Sequence, residues 1–176
     1  MPQSAPAPPQ IPAGWKPVPA DFTAWVTNPF SFLSQPAVFR AHRAAAQAIT
    51  GGSYNILNLD TVDEDPYGGW NSGTHAWTCP AGCAGWYDAT LSGFTASQGA
   101  GTGNQNVAVI ALNGALWEVG PDDWAPASAP GGGNGSVQVP LIPGDTVQMW
   151  VFATASVSTP VTAGQLPSIE LAWVSS

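Results

Sequence analysis

The chain has 176 residues, of which three are basic (Lys16, Arg40 and Arg43) and eleven acidic, giving a formal net charge of −8. No Lys or Arg follows residue 43, so that part of the chain cannot neutralise phosphates, which argues against nucleic acid as a partner and against an anionic membrane surface. Charged residues are only 8% and apolar residues 44%, a balance that excludes an acidic disordered chain and, with its abundant Gly, Pro and Trp, points to an all-β protein with an uncharged polar surface.

Residues 1–14 have neither a basic start nor an apolar run, and no stretch is uniformly apolar over a membrane's width. The expectation is a soluble chain made in a cytoplasm, with no membrane insertion. Pro2, Pro6, Pro8, Pro9, Pro12, Pro17 and Pro19 keep the first 20 residues out of helix and sheet interiors and make them extended. Phe22, Trp25, Val26, Phe30, Phe32 and Leu33 follow on the same arm. So many large apolar groups bury against something, either the arm's own domain or a partner.

Residues 37–49 read equally as helix or as a loose strand. From Gly51 onward the pattern is β. Strands are expected at 54–60, 74–79, 85–96, 106–112, 135–142, 145–155 and 168–174, with Pro140 marking an edge or a bulge. Turn signals stand at Gly68-Gly69, Asn113-Gly114, Gly131–Gly135 and Pro143-Gly144-Asp145. About eight short strands at this spacing make a β-sandwich or jelly roll.

Three segments carry a family resemblance. Ala76-Trp77-Thr78-Cys79-Pro80 followed by Gly85-Trp86-Tyr87 resembles the F-T-C-P-x-x-G-x-Y strand–turn–strand of complement C1q-type globular domains. Val107 to Gly114 resembles their v-x-L-x-x-N-G, and Gly135 to Val147 their G-s-x-x-L-x-L-x-x-G-D-x-V. Trp77 stands where the family has Phe, and two extra residues, including Cys83, lie between Pro80 and Gly85. The resemblance covers residues 37–176. It implies a C1q/TNF-like jelly roll of about ten strands over residues 36–176 that packs as a homotrimer, with residues 1–35 as a proline- and aromatic-rich arm. The front end, with Pro12-Ala13-Gly14-Trp15-Lys16-Pro17 and the aromatic groups after Asp21, resembles the start of small minor tail proteins of phages infecting actinobacteria. That implies a virion component, assembled in the host cytoplasm and exposed outside the cell. Trp15, Phe22, Trp25, Phe30 and Phe32 would anchor its arm to other tail or capsid proteins, and the jelly roll would face outward.

Several residue sets are candidates for chemistry. Asp60, Asp63, Glu64 and Asp65 offer carboxylate oxygens to calcium, which takes six to eight oxygen ligands. Calcium sites occur in some members of the resembled family. The spacing is not that of the twelve-residue calcium hand loop, and the bland reading is a solvated loop. Cys79 and Cys83 flank a Pro-Ala-Gly turn and either close a disulfide or stay free thiols. With His75 they make only three soft ligands, short of a structural zinc site. Trp77, Trp86, Trp150 and Trp173 fall in expected strands and read as core or trimer-interface residues. Trp70, Trp117 and Trp124, with Asp122 and Asp123 nearby, fall on loops or strand ends and are the better candidates for a surface contacting host cell-wall glycan.

No G-x-S-x-G, H-E-x-x-H or phosphate-binding loop is present, so no catalytic residue and no enzyme activity is expected, and no cofactor beyond the calcium considered above. The readings that compete with a minor tail protein are a capsid decoration or head fibre protein and a free carbohydrate-binding module.

Overall fold

A computed structural model describes residues 18–22, 37–96, 104–125, 131–162 and 164–175. Most of the expected arm, residues 1–35, therefore lies outside the described residues. Within it a single helical turn, α1 (Pro19–Phe22), is described. Pro19 opens α1, a position where its fixed φ suits a helix and its missing N–H costs nothing, so Pro19 and Ala20 are helical where the sequence led us to expect extended chain.

The rest is strand and turn. The strands are β1 (Val38–His42), β2 (Ala48–Ile49), β3 (Ser53–Ile56), β4 (Thr61–Glu64), β5 (Trp70–Asn71), β6 (Ala76–Thr78), β7 (Gly85–Thr95), β8 (Asn104–Leu112), β9 (Ala115–Ala125), β10 (Gly131–Leu141), β11 (Thr146–Ala153), β12 (Val157–Ser158) and β13 (Ser168–Ser175). One sheet runs β10-β7-β13-β1-β4 and the other β5-β6-β11-β8-β9, with β3 also pairing β11, and β2 pairs β12 apart from both. Every pairing is antiparallel. The all-β sandwich expected from the sequence is present. The ambiguous stretch after residue 36 resolves into β1, because Phe39 and Ala41 alternate into the core while Arg40 stays out.

The core lies between the sheets. β11 sends Val147, Met149, Val151 and Ala153 inward, β10 sends Val137, Val139 and Leu141, and β7 sends Tyr87, Ala89 and Leu91. This is the alternation that a two-residue strand period imposes when one face is buried. Pro140 sits on an edge strand, since among the described residues β10 pairs only with β7, where its missing N–H breaks no ladder. Trp77 is fully buried and stacks at 6.0 Å on Phe39. Trp86, expected in the core or an interface, is 36% exposed; its neighbour Tyr87 takes the inward position of β7. At the far end the buried side chains of Thr95 and Asn106 share a 2.8 Å hydrogen bond that ties β7 to β8 across the sandwich.

Two turns at the near end interlock. Asn113 and Gly114, with φ of 53° and 76°, form the two-residue loop joining Leu112 to its cross-strand partner Ala115, the geometry for which Asn-Gly is the favoured pair. The Asn113 amide donates to Asp145 Oδ1 and accepts from the Thr146 N–H, each at 2.9 Å. Asp145 in turn accepts from the Ile142 N–H at 2.9 Å. The N-G and G-D motifs, far apart in sequence, thus form one hydrogen-bonded unit.

Candidate functional site

The outward face of the β10-β7-β13-β1-β4 sheet carries a groove of about 410 Å³, within the size range of small-ligand sites. Strand register builds it in rows. Arg40 stands opposite Glu170, which stands opposite Thr90; His42 stands opposite Ser168, then Ser92, then Asn134. These are the outward members of strands whose inward members fill the core, so burial of one face obliges the other to line the groove.

The charges in the groove are internally matched. Arg40 pairs with Glu170 at 3.0 Å and His42 Nδ1 lies 2.8 Å from Asp63 Oδ2. The hydrogen bond that Arg40 donates to Glu170 is the main reason that its guanidinium is held above its ordinary pKa. Ser92 donates to Asn134 Oδ1 at 2.6 Å. The lining therefore offers hydroxyls, an amide and paired ions. These are donors and acceptors suited to a neutral polyhydroxylated ligand, since a charged one would have to displace an existing ion pair.

The acidic run does not form a calcium cage. Among the described residues no three His, Cys, Asp or Glu side chains converge on a common metal position. Residues 61–64, expected as a loop, are the edge strand β4, whose consecutive side chains point to opposite faces. Each carboxylate but Glu64 has a partner of its own. Asp60 accepts from the Ala44 and Ala45 N–H groups at 2.7 and 3.0 Å and pairs with Arg43 at 2.9 Å. Asp63 faces His42, and Asp65 accepts from the Gly69 and Trp70 N–H groups and from Trp77 Nε1. Glu64 stands opposite Arg40 in the β1–β4 ladder.

Cys79 and Cys83 are free thiols in the core rather than the disulfide the spacing allows. The Cys79 thiol lies 3.4 Å from the Cys83 carbonyl oxygen, to which the Tyr87 hydroxyl also donates at 2.6 Å. Burial pushes the Cys79 thiol up to about 11 and raises Cys83 as well. It pushes the Tyr87 hydroxyl up further, helped by the two thiols. His75 turns instead toward Trp70, with ring centroids 6.4 Å apart.

The tryptophan surface divides. Trp70 is drawn inward and stacks on Phe39 at 5.2 Å, so it is a wall of the core rather than a ligand platform. Asp65 is responsible, because its carboxylate fixes the Trp70 N–H. The expected loop around Trp117 is the long strand β9, on which Trp117 is 46% exposed and Asp122 is exposed and accepts from Gln105 at 3.0 Å. Asp123 and Trp124 belong to β9, but their side chains lie outside the described residues. So do Trp15, Trp25, Phe30 and Phe32 and the side chain of Phe22. Apart from Asp63, the groove residues are not among the sequence candidates, although Arg40/His42, Thr90/Ser92 and Ser168/Glu170 repeat a polar residue every second position, the signal of an outward strand face.

No protein-family model matches the chain, and no curated protein matches it. Solved structures do. The globular domain of zebrafish complement 1qA protein is 13% identical with a TM-score of 0.54, over 78% of this chain and 96% of that one. The Eiger TNF of S. frugiperda is 11% identical with a TM-score of 0.52, over 80% and 92%. Murine APRIL at pH 5.0 is 10% identical with a TM-score of 0.52, over 77% and 98%. At such identities the likeness speaks to fold alone, and on fold it agrees with the antiparallel two-sheet architecture above: the chain is a C1q/TNF-like jelly-roll β-sandwich.

Proposed function

We propose that the chain is a non-enzymatic component of a bacteriophage particle, a minor tail protein that displays its jelly roll outward as a homotrimer. Residues 1–35 serve as the anchoring arm to neighbouring tail or capsid proteins, and residues 36–176 are the displayed domain. The fold and the interlocked Asn113–Asp145 turns support the displayed jelly roll and its trimer, and the virion part of the reading rests on the resemblance of Pro12 to Pro17 and the aromatic groups after Asp21 to the start of phage minor tail proteins. Three copies on one axis would hold the host surface by avidity, without strong individual sites. Light scattering should give the mass of three 18.1 kDa chains, and antibody gold should label the tail. A monomer would remove the trimer, and label on the capsid shell would replace the tail assignment with a capsid decoration or head fibre protein.

The groove favours a second reading, a carbohydrate-binding module. Its hydroxyl and amide lining with balanced charge suits a sugar better than an ion. This reading expects measurable affinity for cell-wall polysaccharide that falls at least tenfold in a Ser92→Ala/Asn134→Ala variant. A trimer that binds no polysaccharide would set it aside.

A further inference from the structure

The second sheet turns an unusual face outward. An antiparallel sheet with one face on the core ordinarily presents polar groups on the other. Here the outward members of β3, β11 and β8 are Tyr54, Phe152 and Val107 in one row and Ile56, Trp150 and Val109 in the next. A third row places Gln148, Ala111 and Leu116 side by side. The inward partners of β8, Ala108 and Ile110, belong to the core, so Val107, Val109 and Ala111 point away from it.

Exposure across this face is uneven. Tyr54, Ile56 and Leu116 are 42%, 40% and 46% exposed, yet Val107, Val109 and Ala111 between them are 6%, 0% and 0% exposed. Trp150 Nε1 is held to Gln148 Oε1 at 3.2 Å on its own strand, and its ring leans toward Tyr54, 6.5 Å away. The middle of the face is covered and its rim is not.

The chain itself supplies a matching group. Residues 23–36, which lie outside the described residues, carry Trp25, Val26, Phe30, Phe32 and Leu33 and no charged residue, which suits a face whose central rows are likewise uncharged. They join the domain at Ala37, whose carbonyl accepts from the Trp173 N–H at 3.0 Å on the opposite sheet. At about 3.3 Å per residue, fourteen residues reach roughly 46 Å, well beyond the ~10 Å that separates packed sheets.

We propose that the outward face of β3, β11 and β8 is a docking surface for residues 23–36 of the same chain, whose aromatic groups cover Val107 and Val109. The inference does not depend on the virion reading and competes with it for residues 23–35: docked on this face, they would leave only residues 1–22 of the proposed arm free to anchor. The test uses the full chain with a benzoylphenylalanine photocrosslinker in place of Phe30, prepared as a mixture of isotopically light and heavy protein. The expected result is crosslinking within one chain to peptides containing residues 54–56, 107–111 or 150–152. Crosslinks to β7, β10 or β13, crosslinks between light and heavy chains, or no crosslink would each overturn it. In a second measurement, Phe30→Asp/Phe32→Asp in the full chain should raise anilinonaphthalene sulfonate fluorescence several-fold and speed amide exchange in β8 at least tenfold, with the β-sheet circular dichroism retained. A folded variant without either change would count equally against the proposal.

Discussion

Asp60 accepts two backbone N–H groups and pairs with Arg43, whose guanidinium also donates to the Asn58 and Ala46 carbonyls. Burial works against the charged carboxylate, but the two N–H donors and Arg43 outweigh it, so the carboxyl is held below its usual range. A carboxyl depressed on folding contributes stability that is present above its unfolded value near 4 and is lost as pH falls through the lower folded value. Asp60→Asn should therefore cost about 1–2 kcal/mol near pH 7, the worth of charge-assisted hydrogen bonds. That deficit should shrink as pH falls below about 4. Urea midpoints at pH 7 and pH 3 check this, and an equal deficit at both would contradict it. Nothing in the spacing of Asp60, Asp63, Glu64 and Asp65 distinguishes a metal cage from carboxylates committed one by one, because the partners (Ala44, His42, Trp77) sit on other segments. Asn113 was legible by contrast: its turn is local chemistry, written in two adjacent residues.

Elements were legible where side chains alternate and obscure where the backbone alone makes the strand. β10 and β11 follow from Val137, Val139, Leu141 and from Val147, Met149, Val151. The start of β10, Gly131 to Gly135, reads as a turn, yet it pairs residue by residue with Thr95 to Leu91 of β7, since a hydrogen-bonded ladder needs no side chain. β9 was hidden because its Gly120 and Pro121 look like loop residues. Gly120 is there because a Cβ would lie 2.6 Å from Leu91 Cδ1 and 2.9 Å from the Ala108 carbonyl oxygen. The same close approach of the sheets fixes Gly93, where an added Cβ would lie 2.7 Å from the Cβ of Ala108. Gly93→Ala should cost about 1–3 kcal/mol through overpacking. Combining it with Ala108→Gly moves the methyl group from one sheet to the other and should recover more than half of that loss. Denaturant unfolding of the single and double variants measures the coupling, and additive losses would show that the sheets are not in contact at this point.

At the scale of the molecule the scarcity of charge is a matter of placement. Arg40 and Arg43 are both paired within the domain, with Glu170 and Asp60, so the acidic excess is left to the surface. One sheet turns outward a polar groove and the other an apolar face, and the core between them keeps the two thiols. Cys79 is tied to both ends of the turn before β11, its N–H donating to the Asp145 carbonyl at 2.8 Å and its carbonyl accepting from the Gly144 N–H at 2.9 Å. Cys83 carries the carbonyl that holds Tyr87. The turn that holds both sulfurs is thus tied to the loop before β11 on one side and to β7 on the other. With its thiol near 11, Cys79 is thiolate in only about one molecule in a thousand at pH 8 even before access is considered. Iodoacetamide at pH 8 should leave both cysteines of the native protein unmodified for hours. Denatured without reductant, the chain should label at both positions, where a disulfide would leave neither reactive. Labelling across a guanidinium series should then follow the same transition as tryptophan fluorescence, because the turn that holds these sulfurs is tied to both sheets. Labelling that runs ahead of that transition would show that the 79–83 turn opens independently of the sandwich.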